Sequence, residues 1–115
     1  MDTRDLINIT LTQYGFEVVC CKDGTQVLEL AKTEVFDLFL VDNRMPGFSG
    51  TELTAKLREF DTKTPILFYS GAPFEGDIEA ACLSGAQGYL AKPTDGDQLT
   101  AEVVRLITES KSRQK

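Results

Sequence analysis

Three polar residues each stand directly after an apolar run. Asp42 follows Leu38-Phe39-Leu40-Val41, Ser70 follows Ile66-Leu67-Phe68-Tyr69, and Lys92 follows Gly88-Tyr89-Leu90-Ala91. A carboxylate, a small hydroxyl and an ammonium together suit phosphoryl chemistry. The carboxylate can act as nucleophile. The ammonium and the hydroxyl can hold the oxygens over which charge spreads during transfer. Singly, each has a plainer reading. An Asp after a strand is ordinarily a cap or turn former, Ser70 before Gly71 is a loop residue, and Lys92 before Pro93 is a solvated lysine. The same placement at three strand ends favours a shared role.

Such convergence needs elements that bring the three ends together. Unbroken apolar runs of this length suit strands buried on both faces of a parallel sheet. Their carboxyl ends then share one edge, where open α/β sheets bind ligands. Met45-Pro46-Gly47 forces a loop after Asp42, and Ser49-Gly50-Thr51-Glu52 reads as a capping box opening a helix. Asp2-Thr3 can cap a first helix running to Tyr14, with Ile7, Leu11 and Tyr14 on one face and Leu6 and Ile9 widening it; Gly15 stops it. Phe16 to Cys21 is predicted to be a short valine-rich strand. Asp23-Gly24 turns the chain into a second helix with Val27, Leu28 and Ala31 inward. Leu53, Leu57 and Phe60 mark a third helix, and Asp61 to Thr64 a polar loop. Ile78, Ala81 and Cys82 mark a fourth helix, closed by Ser84-Gly85. The last runs from Asp95 to about Ser110, with Leu99, Val103, Leu106 and Ile107 inward. Alternating strands and helices imply a doubly wound α/β fold with helices on both faces of one parallel sheet, here four strands and five helices.

Composition sets further bounds. The 115 residues read as a single domain, 1–115, with no internal repeat. A net charge of −6 argues against direct nucleic-acid binding, which rests on neutralising phosphates. No run approaches a membrane span, and the opening MDTRDLINITL lacks signal-peptide character, so a cytoplasmic location is expected. Cys20, Cys21 and Cys82 make neither a disulfide framework nor a zinc pattern, and read as small apolar fillers. There is no histidine, which removes the commonest general base and rules out a histidine phosphocarrier.

The motifs LVDNRMPGFSG, ILFYSG and GYLAKP resemble those of response-regulator receiver domains, the CheY-like, flavodoxin-like modules of two-component signalling. The resemblance covers nearly the whole chain. It implies that Asp42 is the phosphoacceptor and that Ser70 and Lys92 read out the phosphoryl group. Tyr89 matches the aromatic that swings inward when the hydroxyl residue moves. The backbone carbonyl of Arg44 matches a contact to Mg2+, the expected cofactor. A histidine kinase or phosphotransfer protein and a downstream protein are the implied partners, and the domain signals rather than acting as an enzyme.

This sequence departs from the family pattern at its start. The pattern opens with an apolar strand followed by acids that hold magnesium, whereas this chain begins at the helix that would follow them. Asp2 and Asp5 fall at or inside that helix, as acids that gain from its dipole. Two expectations result. The segment Phe16–Cys21 and the strand before Asp42 can close on each other, a strand from a second copy can fill the slot, or exposed edges can pair between copies; a rearranged sheet with a homodimer is expected. Magnesium affinity is expected to be weak. The functional reading is a phosphorylation-switched receiver whose changed surface contacts other proteins. The alternative is a degenerate receiver acting as a phosphate-independent binding or dimerisation module. An aspartyl-nucleophile phosphatase would want a second aspartate where Arg44 stands, and flavin binding would want a phosphate-cradling loop.

Overall fold

Each of the three apolar runs that precede a polar residue forms a strand in the computed structural model, which describes residues 3–21, 23–41, 49–71, 75–92 and 96–113. In chain order the elements are α1 (Thr3–Tyr14), α2 (Gly24–Thr33), β1 (Phe39–Val41), α3 (Gly50–Arg58), β2 (Ile66–Gly71), α4 (Glu75–Ser84), β3 (Gly88–Lys92) and α5 (Gly96–Arg113). The strands lie in the order β1-β2-β3, all parallel. Phe39 to Val41 pair with Ile66 to Phe68, and Leu67 to Gly71 pair with Gly88 to Lys92.

Side chains alternate across the sheet and build a core on each face. Phe39, Val41, Ile66 and Phe68 meet Leu53 and Leu57 of α3 and Ala81 of α4, with Val27, Leu28 and Ala31 of α2 packed alongside. Leu67 meets Leu11 of α1 and Leu99, Val103 and Leu106 of α5 on the other face, with Leu38, Leu40 and Leu90 joining. Ile66, Leu67 and Phe68 are all 0% exposed, so β2 is covered from both sides. Fully burying a side chain of this size contributes about 1.5–3 kcal/mol. This two-faced burial is why the runs carry no polar alternation, and it makes the fold the doubly wound α/β sandwich expected.

Local signals set the helix ends. Asp23 caps α2, its Oδ1 accepting from the Gln26 amide at 2.9 Å. Ser49 and Glu52 close the capping box of α3: Ser49 Oγ accepts from the Glu52 amide at 3.2 Å, and the Ser49 amide donates to Glu52 Oε1 at 3.5 Å. The ends of α1 and α4 are alike. The Phe16 amide reaches back to the Leu11 carbonyl at 3.0 Å, and the Ala86 amide to that of Ala81 at 3.1 Å. Each wrap requires a positive φ at the residue between, supplied by Gly15 at +113° and Gly85 at +119°.

Three expectations need correction. Phe16–Cys21 is not a strand: among the described residues the sheet has three strands rather than four, and β1 pairs only with β2. The two segments therefore do not close on each other, and the sheet keeps the simple order of its chain. A strand exists only through a partner's ladder. Here Phe16 and Val18 are held instead by side-chain packing on the α1–α5 core, while Val19 is 51% exposed. The inward stripe of α1 is narrower than expected, with Ile9 and Tyr14 exposed and Tyr14 stacked on Phe16 at 5.6 Å. Phe60 lies beyond α3 and is exposed, with Lys32 Nζ 5.7 Å from its ring centre, and Ile78 of α4 is likewise exposed. Helical spacing assigns a face, but whether a neighbour covers that face depends on the packing of distant segments.

Candidate functional site

The edge that would carry the chemistry is formed by the carboxyl ends of the three strands. β1 ends at Val41, which pairs with Phe68. β2 runs three residues further, so Ser70 lies opposite Ala91 and Gly71 opposite Lys92. The backbones at residues 70 and 92 thus sit on neighbouring strands one register step apart, with strands about 4.8 Å from each other. Asp42 and Arg44 lie outside the described residues, as do the side chains of Ser70 and Lys92.

Tyr89 lies one strand over from Phe68 in register, and its ring stacks on that of Phe68 with centroids 5.7 Å apart and planes 21° apart. It is half-buried against the core that α3 and α4 complete. An aromatic pair in this geometry adds about 0.5–1.5 kcal/mol beyond the area it buries.

The cysteines do not fill the core as expected. All three are free thiols, and Cys20 and Cys82 are exposed. Burial, then the neighbouring Cys20 and Asp23, raise the Cys21 thiol above its ordinary pKa. Among the described residues no three His, Cys, Asp or Glu side chains cluster where a metal ion could sit. Asp5 falls in the first turn of α1. No helix among the described residues is long and apolar enough to cross a membrane.

At the opposite end of the sheet the structure shows a polar cluster that sequence reasoning did not find. Arg58 closes α3 and is half-buried. Burial lowers its pKa, and Asp61 acts in the other direction. Its guanidinium donates to the Gly85 carbonyl from Nε at 3.1 Å and from Nη2 at 2.9 Å, to Gln87 Oε1 at 2.8 Å, and to the Asp61 carbonyl at 2.9 Å. A basic residue in a last helical turn is ordinary, so nothing in the sequence marked it.

Asp61 organises the loop that the sequence read only as polar. Its Oδ1 accepts from the amides of Lys63 and Thr64, each at 3.0 Å, and its Oδ2 accepts from Thr64 Oγ1 at 2.6 Å. Burial pushes this carboxyl up, but those bonds and the Arg58 charge outweigh it and hold the pKa below the ordinary value. A depressed folded pKa stabilises the fold above the unfolded value and loses that stabilisation as pH falls through the folded one. The stability gap between wild type and Asp61→Asn is therefore expected to be full above about pH 4 and to close below it. Urea midpoints over an acid pH series check this, and a gap that stays constant into strong acid would contradict it.

Comparison with known proteins brings the same features together. The family model for the response regulator receiver domain matches residues 1–104. A Bacillus subtilis protein, the uncharacterized transcriptional regulatory protein YrkP, is 35% identical over 103 residues, covering 90% of this chain and 44% of its own length. The chain spans between 18% and 47% of the length of four such curated relatives. A Francisella response regulator receiver domain superposes with a TM-score of 0.85 at 26% identity, covering 92% of this chain and 88% of that one. The receiver domain of a Pseudomonas aeruginosa sensor histidine kinase superposes at 0.84 with 28% identity, covering 91% and 88%; that structure has a magnesium ion coordinated in its active site cleft. The match extends from residue 1 into the middle of α5, through all three strands and their carboxyl ends, and the chain belongs to the response regulator receiver domain family.

Proposed function

We propose that this chain is a phosphorylation-switched receiver with Asp42 as phosphoacceptor. A carboxylate oxygen of Asp42 attacks the phosphorus of a phosphohistidine on a kinase or phosphotransfer protein. A P–O bond forms as the P–N bond breaks, and the imidazole leaves and takes up a proton. The Lys92 ammonium offsets charge on the phosphoryl oxygens, and the Ser70 hydroxyl donates to one of them. Tyr89 then reports the rearrangement at Ser70 to the surface made by α4, β3 and α5, and a downstream protein reads that surface. The observation that carries this reading is the register: Ser70 and Lys92 occupy adjacent strand ends on the edge at which β1 also ends, one residue before Asp42. The location proposed for this domain is the cytoplasm, supported by an opening sequence without signal-peptide character.

Magnesium would meet Asp42 and the Arg44 carbonyl in this chain. Two protein ligands are few for an ion that takes six oxygens, and the described residues add no cluster.

A second reading is a receiver fold that binds partners, or a second copy of itself, without phosphate. The specific observation in its favour is Tyr89, whose ring is already half-buried and stacked on Phe68. One experiment separates the two. The chain is incubated with acetyl phosphate and magnesium and its intact mass is recorded, with partner or self-association measured before and after. A gain of one hydroxylamine-labile phosphoryl group with altered association supports the switch. Association that is unchanged, with no mass gain, supports the phosphate-independent module.

A further inference from the structure

We infer that Arg58 is the fixed pivot of α4, holding that helix by its carboxyl end so that only its amino end is free to move. Four elements meet at the guanidinium. It grips the Gly85 carbonyl with two nitrogens, just past the end of α4, and it reaches Gln87 Oε1 on the lead-in to β3. It also holds the Asp61 carbonyl beyond its own helix. Gln87 extends the clamp to β2: its Oε1 accepts from the Ile66 amide at 2.8 Å, and its own amide donates to the Ile66 carbonyl at 2.9 Å. Its Nε2 adds a third donor to the Gly85 carbonyl, at 3.1 Å.

The fit leaves no slack. A Cβ on Gly85 would come within 2.9 Å of Arg58 Cγ, so the guanidinium stem fills the space where any other residue would place its side chain. In the last turn of α4, Ala81 is 0% exposed and packs into the core, and Ser84 Oγ donates to the Ala81 carbonyl at 2.8 Å. Ile78, Glu79 and Ala80 are exposed, as are Cys82 and Leu83, so what separates the two ends of the helix is the set of Arg58 bonds just past its carboxyl end. A ten-residue helix spans about 15 Å. Anchored at one end, it responds to a push at the other as a lever, and its amino end is the one that follows the Ser70-Gly71 terminus of β2. That coupling to phosphorylation rests on the switch proposed above, whereas the pivot itself does not.

Hydrogen exchange read by mass spectrometry tests the two parts separately on the full chain. In the resting protein, Arg58→Ala is expected to speed exchange at Gly85 to Gln87 and in the last turn of α4 by roughly tenfold or more, because charge-assisted bonds hold those groups. Leu67 and Phe68 should exchange as in wild type. On adding beryllofluoride and magnesium, wild type should change exchange in residues 75–79 and not in 81–87, and in Arg58→Ala the change should spread along the whole helix. Should Arg58→Ala fail to fold, Arg58→Lys keeps the stem and charge but loses the fork, and it reads the same amides. Resting exchange at Gly85 to Gln87 that matches wild type in the folded variant overturns the pivot, as does a uniform change along α4 of activated wild type. If beryllofluoride has no effect on wild type, the switch reading fails while the resting comparison still decides the pivot.

Discussion

Asp42→Asn is expected to reduce phosphoryl incorporation from acetyl phosphate to background while leaving the fold intact. The amide keeps the size and shape of the carboxylate but cannot displace a leaving group to form an acyl phosphate. Structural loss should be small, because Val41 ends β1 and the packed core lies behind it, with Val41 1% exposed and Leu53 and Leu57 fully buried. Intact mass after phosphodonor treatment, with far-ultraviolet circular dichroism as the control, checks the result. Retained label in a well-folded Asp42→Asn protein would move the phosphoacceptor elsewhere and end the assignment of Ser70 and Lys92 as its partners. Persistent partner binding by the unlabelled variant would instead favour the phosphate-independent module.

The second large effect is on stability. Phe68→Ala is expected to cost about 3–5 kcal/mol. Phe68 is 0% exposed on the strand that lies between β1 and β3, between Val41 and Tyr89 in register, and it stacks on the Tyr89 ring. Truncation there removes the buried ring and leaves a cavity whose walls are held by α3 and α4 and cannot collapse freely. Domains of this size have about 5–15 kcal/mol in total, so the variant should approach the limit of folding, with a melting temperature lower by more than about 10 °C. Val35→Ala is the contrast. Val35 is 97% exposed, and its truncation should fall within about 0.5 kcal/mol of wild type. Urea titrations of both variants check the pair. A Phe68→Ala loss near that of Val35→Ala would mean that the core is looser than its burial implies. The same substitution removes the surface on which Tyr89 rests, so partial loss of any Tyr89-dependent signalling should accompany it.

Much of this molecule was legible before any coordinates. Leu38 to Val41, Ile66 to Tyr69 and Gly88 to Ala91 announced themselves as unbroken apolar runs, which Ile66 to Tyr69 carries because that strand is covered on both faces. The Ser49-Glu52 box and Asp23 marked helix starts, and Gly15 and Gly85 marked helix ends, because capping is settled within a few residues of the chain. The placement of Ser70 and Lys92 near strand ends was equally visible, since it requires only the run and the residue after it.

Only tertiary structure decided the rest. Phe16–Cys21 has strand-like composition and forms no ladder, since pairing depends on a neighbour that local sequence does not specify. Phe60 and Ile78 share the spacing of core residues and lie exposed, because among the described residues no distant segment buries them. Arg58 looked like any helix-ending base until Gly85 and Gln87, 27 and 29 residues away, came to rest against it. Short-range rules govern dihedrals and caps, and they read directly from neighbouring residues. Burial and long-range hydrogen bonds are properties of which surfaces meet, and those are set by the packing of the whole chain at once.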